Sequence, residues 1–327
     1  MVTRVLVTGA GGFIGHHMVK NLLDRGYWVR GVDIKPPEFE SSPANEFEIL
    51  DLRRLDSCLV ATRGIEHVYH LAADMGGIEY ITAYHARVAR NNVLMNSQML
   101  EASRINGVSR LFFSSSACIY PQYLQNVPDV TPLKEADAYP ADPEEGYGWE
   151  KLFTEKMCQY YMEDFEFETR VARFHNVFGP MGTYDGGREK APAAICRKVA
   201  LASNEIEVWG DGQQTRPFMY IDDCVEGIYQ IMQSSHREPM NLGTERLVTV
   251  DELVTIVCDV AGKILETRHD VSRPQGVRGR NSDNELLRRI LGWEPSASLE
   301  RGLHITYRWI EEELRRTGRL AELAESR

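Results

Sequence analysis

The segment Thr8-Gly9-Ala10-Gly11-Gly12-Phe13-Ile14-Gly15 follows an apolar run at 4–8 and opens a stretch with helical spacing at 13–25. Gly9, Gly12 and Gly15 therefore mark a strand–turn–helix at the start of the chain. Glycines at this spacing allow a tight turn, a close approach of backbone to a pyrophosphate, and close helix–strand packing. The unpaired N–H groups at the helix start supply the attraction for an anion. Asp33 ends the second apolar run. Its carboxylate can accept both hydroxyls of an adenosine ribose and would repel a 2′-phosphate, which favours NAD over NADP. Lys35 nearby weakens that preference slightly. Asp51, after the third run, is a candidate contact to the adenine. The alternative is a glycine-rich turn with no ligand, and the complete strand–turn–helix–acid context argues against it.

Further short apolar runs near 27–32, 46–50, 67–72 and 109–114 alternate with helical stretches such as 83–105. Alternation of this kind predicts an α/β fold: a doubly wound parallel sheet of Rossmann type with a smaller C-terminal α/β substrate-binding region. Residues 1–178 read as the dinucleotide-binding domain. Residues 179–327 read mainly as the substrate region, with the chain partly interleaved between the two. Segment 181–192 is rich in glycine and charge and reads as a loop. Pro192 is placed to begin a helix through about 202, and 299–326 reads as a charged amphipathic helix.

The 327 residues are 43% hydrophobic and 26% charged, enough to bury a large core. A formal net charge of −11 argues against non-specific binding to nucleic acid or membrane, though not against one basic pocket. No apolar run reaches the length of a membrane span, and no signal pattern precedes the first strand, so a cytoplasmic protein is expected. The cysteines at 58, 118, 158, 196, 224 and 258 lack metal-like or CxxC spacing. In a reducing compartment they read as free thiols, and no metal is expected.

Tyr147-Gly148-Trp149-Glu150-Lys151 is a YxxxK motif. Residues four apart share a helix face, so the Lys151 ammonium should sit beside the Tyr147 phenol and lower its pKa. A phenolate can take a hydroxyl proton as hydride leaves the same carbon. Upstream, Phe113-Ser114-Ser115-Ser116-Ala117-Cys118-Ile119-Tyr120 places serines at a strand end, where open α/β sheets put their ligands.

The glycine turn, Asp33, the serine run and YxxxK together resemble the extended short-chain dehydrogenase/reductase superfamily. Trp209-Gly210-Asp211-Gly212-Gln213-Gln214-Thr215-Arg216 and Tyr220-Ile221-Asp222-Asp223 are similar to its nucleotide-sugar segment. The resemblance implies that Ser116 is the catalytic serine. It also implies an NAD site made of Gly9, Gly12, Phe13, Ile14, Gly15, Asp33, Asp51, Leu71, Ala73, Tyr147 and Lys151. NAD would be tightly bound and regenerated in each turnover, and homodimers would form through the long helices near 83–105 and 146–162.

Cys118 lies two residues past Ser116. In strand-like backbone, i and i+2 point the same way, so the thiol should face the pocket beside Ser116. A buried packing cysteine is the ordinary alternative. Lys190 lies in the loop before Pro192 and would ordinarily be solvated. Five stretches nevertheless resemble the GDP-mannose 3,5-epimerase family: Ala72-Ala73-Asp74-Met75-Gly76-Gly77, Ser115-Ser116-Ala117-Cys118-Ile119-Tyr120-Pro121, Arg173-Phe174-His175-Asn176, Gly187-Arg188-Glu189-Lys190-Ala191-Pro192, and Gly276-Val277-Arg278-Gly279-Arg280-Asn281-Ser282-Asp283-Asn284.

That resemblance implies epimerisation of GDP-α-D-mannose at C3 and C5 to GDP-L-galactose, with GDP-L-gulose from C5 epimerisation, through transient oxidation at C4. Cys118 and Lys190 would be the acid/base pair; which is base and which acid stays open. Met75, Gly76, Ser116, Asn176, Lys190, Lys198, Gln214, Arg216 and Arg278 would bind the GDP-sugar. Cations suit its pyrophosphate, arginines bidentately. Arg197 and Arg280 adjoin this set but could equally be surface residues.

Other NAD-dependent sugar-nucleotide epimerases, acting at C4 or at C5 alone, remain alternatives. In a dehydratase an acid would stand where Ala117-Cys118 stands. A non-catalytic NAD-sensing scaffold would tend to lose Tyr147 or Lys151. His16-His17 and His175 have no partners in sequence that suggest a metal.

Overall fold

The computed structural model describes residues 2–273 and 275–320. Six strands and five helices alternate through the first half. They are β1 (Arg4–Thr8), α1 (Phe13–Asp24), β2 (Trp28–Asp33), β3 (Glu46–Ile49), α2 (Leu55–Thr62), β4 (His67–His70), α3 (Ile78–Ala83), α4 (His85–Ile105), β5 (Arg110–Ser116), α5 (Tyr147–Phe165) and β6 (Glu168–Phe174). The apolar runs at the centre of the sheet become strands covered on both faces. In β5, for example, Leu111, Phe112 and Phe113 are all buried, as expected where helices pack on both sides of parallel strands.

The second half contributes β7 (Val177–Phe178), α6 (Ala191–Leu201), β8 (Glu205–Trp209), β9 (Thr215–Pro217), β10 (Met219–Tyr220), α7 (Ile221–Gln233), β11 (Met240–Leu242), β12 (Leu247–Thr249), α8 (Val250–Ala261), β13 (Glu266–Asp270), α9 (Glu285–Leu291) and α10 (Leu299–Arg316). The main sheet has seven strands in the order β11-β6-β5-β4-β1-β2-β3, all parallel. Its outermost strand comes from residues 240–242. The chain thus returns to the sheet after leaving it at β6, and α7 packs against α1, β5 and β6 on the way. The core is correspondingly continuous, from Val5 and Met18 in the first half to Leu253, Leu303 and Ile310 in the second.

Strand order reverses between β1 and β4. The chain runs outward through β2 and β3, then crosses back to β4 on the other side of β1. Connections leaving such a switch point splay apart and open a crevice at the strand ends.

The last helix is shorter than its charge pattern suggested. α10 stops at Arg316; Gly318 takes a positive φ of 77° and Arg319 N–H turns back to the Leu314 carbonyl. A glycine in that conformation closes a helix at no steric cost. The remainder of the expected helix beyond residue 320 lies outside the described residues.

Candidate functional site

Gly9 and Gly12 form the turn between β1 and α1, with Gly12 N–H bonded to the Gly9 carbonyl at 3.0 Å. The turn has no room for side chains: a Cβ on Gly15 would overlap the Gly9 carbonyl, and one on Gly9 would meet the backbone of Leu71 and Ala72. Gly12 caps α1 without a side-chain bond, and no acid lies in the first turn. The helix start around Phe13 and Ile14 is therefore open to an anion.

Asp33 faces this turn. Its Oδ2 accepts from Gly11 N–H at 3.0 Å, and Oδ1 accepts from Ile34 N–H at 2.7 Å. Leu71 and Ala73 follow β4 on the other wall. Thr8 Oγ1 accepts from the amides of Leu71 and Ala72 at 3.1 and 3.2 Å, tying that wall to β1. Asp51 is half-buried and ion-paired to Arg53 at 2.7 Å. The cradle that any Cβ would fill, the uncapped helix and the fixed carboxylate fit NAD.

β5 ends at Ser116, and residues 117–119 form one 3₁₀ turn. The strand alternation expected to orient Cys118 is therefore absent. Ser116 instead caps the turn, its Oγ accepting from Cys118 N–H at 3.2 Å. Both side chains still line one cavity, brought there by the turn. α5 packs directly on it: a Cβ on Gly148 would overlap the Cys118 carbonyl. Only glycine between Tyr147 and Trp149 lets the helix approach so closely.

Lys151 is fully buried. Its Nζ donates to the Ser114 carbonyl at 2.9 Å and stands 5.5 Å from the centre of the Tyr147 ring. The expected lowering of the phenol pKa is not found. Burial raises it well above 10, and the carboxylate of Glu150 and the thiol of Cys118 act in the same direction. Burial likewise pulls Lys151 below the usual lysine range. Glu150 accepts from Asn92 and Asn96 at 2.9 and 3.1 Å, and burial pushes its carboxyl up to about 7.

The cavity holds about 310 Å³. Of the expected substrate residues, Met75, Gly76, Ser116, Asn176, Lys190, Lys198, Gln214 and Arg216 line it together with Cys118 and Tyr147. Two of them leave polar atoms buried and unpaired: Asn176 Nδ2 and Gln214 Oε1. Buried polar groups without partners are rare enough in proteins to mark places where a ligand supplies them.

Its cations fall into two classes. Arg216 is held only by carbonyls, those of Thr215 at 2.7 Å and Val277 at 2.7 Å, and Lys198 donates to the Glu207 carbonyl at 2.9 Å. Among the described residues neither these two nor Lys190 makes an ion pair, although Glu144 acts on Arg216, and Glu207 and Glu189 on Lys198, from further away. Burial brings Arg216 down to about 10 and lowers Lys190 as well. Arg197, by contrast, is paired with Glu189 at 3.1 Å.

Arg278 is not brought to the cavity: it grips Asp211 at 2.8 and 3.1 Å. Arg280, two residues on, faces the site. It is buried, donates to Cys118 Sγ at 3.6 Å and is ion-paired with Glu144. Glu144 was not visible from sequence, where it is one acid among several in Asp142-Pro143-Glu144-Glu145.

The model of the NAD dependent epimerase/dehydratase family matches residues 5–243. Among curated proteins, GDP-mannose 3,5-epimerase 1 of rice (japonica) is 48% identical over 95% of this chain and 82% of its own. GDP-mannose 3,5-epimerase of Arabidopsis thaliana is 47% identical over 95% and 83%. Among solved structures, the UDP-glucose 4-epimerase of Thermotoga maritima with UDP-glucose superposes with a TM-score of 0.87 at 29% identity, covering 95% of this chain and all of that one. The Thermus thermophilus UDP-glucose 4-epimerase complex with NAD gives 0.83 at 26%, covering 94% and 99%.

Proposed function

The chain belongs to the NAD dependent epimerase/dehydratase family, and from that premise we propose that it epimerises GDP-mannose at C3 and C5. The observation that carries the reading is one cavity combining Tyr147, Ser116, Cys118 and Lys190 with Arg216 and Lys198, which make no ion pair among the described residues. Arg216 and Lys198 suit a pyrophosphate, since an anion arriving beside them displaces no existing ion pair. Asn176 Nδ2 and Gln214 Oε1 gain the partners they lack.

Held in the cradle of Gly9, Gly12, Gly15 and Asp33, NAD would supply reversible hydride transfer at C4 of the sugar, and a ketone at C4 acidifies the hydrogens at C3 and C5. To take and return the C4 hydroxyl proton Tyr147 must first give up its own, which the Lys151 ammonium and the positive nicotinamide ring of bound NAD would favour, with Ser116 donating to the same substrate oxygen. Cys118 and Lys190 exchange protons at C3 and C5. Lys190 suits this because burial lowers its pKa and eases loss of its proton. Cys118 suits it because a thiol can hold or release a proton near its carbon neighbours.

The deciding experiment is NMR of the protein with GDP-mannose in D₂O. Deuterium at both C3 and C5, with new GDP-hexose signals, is expected. Deuterium at C5 alone would narrow the reaction to one carbon, and no exchange would overturn the assignment. Cys118→Ala and Lys190→Ala should each abolish the new GDP-hexose signals, and the variant that loses the base should lose the exchange as well.

We also propose a homodimer built on α4 and α5. Trp149, Phe153 and Tyr160 form one half-exposed stripe along α5, a contiguous apolar face that a second copy would cover. Sedimentation of the parent against a Trp149→Glu, Phe153→Glu double variant tests it. A cytoplasmic location is supported by six cysteines that are all free.

A further inference from the structure

Three side chains around Cys118, those of Arg280, Gln125 and Glu144, form a frame that the epimerase reading does not use. Arg280 spends all three faces of its guanidinium in it. Nε donates to Gln125 Oε1 at 2.6 Å, Nη2 is paired with Glu144, and Nη1 points to Cys118 Sγ at 3.6 Å. Gln125 is itself pinned, donating to the carbonyls of Tyr120 and Pro121 at 3.1 and 3.2 Å. Glu144 closes the loop through its backbone, its N–H bonding the Cys118 carbonyl at 2.9 Å. The sulfur thus has a fixed cation on one side and a fixed anion next to it, at the wall of the cavity.

We propose that Glu144 is a positioning residue for Cys118: seated on Arg280, it holds the guanidinium against the sulfur and with its own charge opposes ionisation of the thiol. The two charges act with opposite sign. The cation favours a thiolate and the carboxylate disfavours it, while burial keeps the thiol above its ordinary pKa. The other titratable groups facing Cys118 are Tyr147, Lys151, Lys190 and Arg216. Tyr147 and Arg216 also lie in the field of Glu144, which raises both, so Glu144→Gln eases loss of their protons too. The proposal rests on Cys118 being an acid/base group of this site, but its test does not.

Cys118 is the only cysteine that is not buried among the six. Its alkylation by iodoacetamide in the NAD-loaded protein, followed by mass spectrometry across pH, reports its thiolate fraction directly, with Cys118→Ala as the control. Glu144→Gln should move the midpoint down, so that at a fixed pH below it the thiol reacts about tenfold faster. Arg280→Gln should move it up and slow the reaction by a similar factor. A purely structural role would disturb both variants in the same sense.

An unmoved or raised midpoint in Glu144→Gln overturns the proposal. That isosteric variant decides alone if Arg280→Gln does not fold. Deuterium exchange separates the two claims. If Glu144→Gln shifts the midpoint while Cys118→Ala keeps full exchange at C3 and C5 and full formation of the new GDP-hexoses, the tuning stands and the acid/base reading falls. If Cys118→Ala abolishes exchange or the new GDP-hexoses and the midpoint stays put, the reverse holds.

Discussion

The two halves of the site are built by different means. The dinucleotide side is one contiguous strand–turn–helix plus two strand ends, and it recognises with backbone: glycines without room for a Cβ, a helix start without a cap, one carboxylate fixed by amides. The substrate side is gathered from segments near residues 75, 118, 147, 176, 190, 214 and 280, and it presents side chains, of which Asn176 and Gln214 leave polar atoms unpaired and Arg216, Lys198 and Lys190 make no ion pair among the described residues. A backbone site fails when any atom is added. A side-chain site fails when a particular charge is removed.

The largest test of that contrast is Gly15→Ala. Its methyl would overlap the Gly9 carbonyl, which belongs to the turn itself and has nowhere to move. A loss of roughly 3 kcal/mol or more in stability is expected, along with loss of NAD binding, seen in thermal melts with and without NAD. Gly148→Ala brings the same defect to the other half, because its methyl would meet the Cys118 carbonyl. Here a cost of about 1–3 kcal/mol is expected. NAD binding should survive while proton exchange at C3 and C5 is lost. If both glycine variants kept full exchange, the contrast would fail.

Next come the arginines. Arg216→Ala should weaken GDP binding by about 2 kcal/mol in calorimetry, since it removes a charge facing the cavity that makes no ion pair among the described residues. Arg278→Ala should cost less than about 1 kcal/mol, because that guanidinium is spent on Asp211 at a half-exposed site. Equal effects would place Arg278 in the binding site after all.

The last expected effect concerns acid. His70 is buried beneath the dinucleotide side, bonded to Thr8 and Asn96, with burial bringing it to about 4. His175 is buried beneath the cavity, bonded to Asn241 and brought to about 3. Both have folded pKa values below the unfolded one, so the unfolded chain binds more protons below pH 6.5 and stability falls there. Each histidine contributes about 1 kcal/mol of loss between roughly pH 7 and pH 5.5. Glu150 acts oppositely: its carboxyl, raised to about 7, is costly when charged, and that cost relaxes as it protonates on acidification. Glu150→Gln should therefore steepen the fall in melting temperature between those two pH values. An unchanged slope would show that Glu150 is not titrating in the folded protein.

Much of this was legible in the sequence, and for local reasons. The glycine turn, Asp33 and the YxxxK helix each lie within one or two adjacent elements, so spacing alone sets their geometry. The same logic misjudged two points. Helical spacing did bring Lys151 near Tyr147, but how far a phenol is desolvated depends on what covers it, and burial with the charges of Glu150 and Cys118 raised it. Strand alternation was the wrong basis for Cys118, because the strand ends at Ser116 and the residue is placed by a capped turn.

The sequence by itself determined the parallel α/β architecture, the NAD cradle and which residue types could carry proton transfer, because these follow from hydrophobic period, glycine placement and short-range spacing. The tertiary structure alone decided which arginine meets the site. Thr215 bridges to Gly279, whose missing side chain lets the segment pack against the Val127 carbonyl. That contact turns Arg280 toward Cys118 and leaves Arg278 with Asp211. It also brought Glu144 to the sulfur. No local pattern encodes such meetings, because a charge is assigned its partner only when distant segments are packed into the same low-dielectric space.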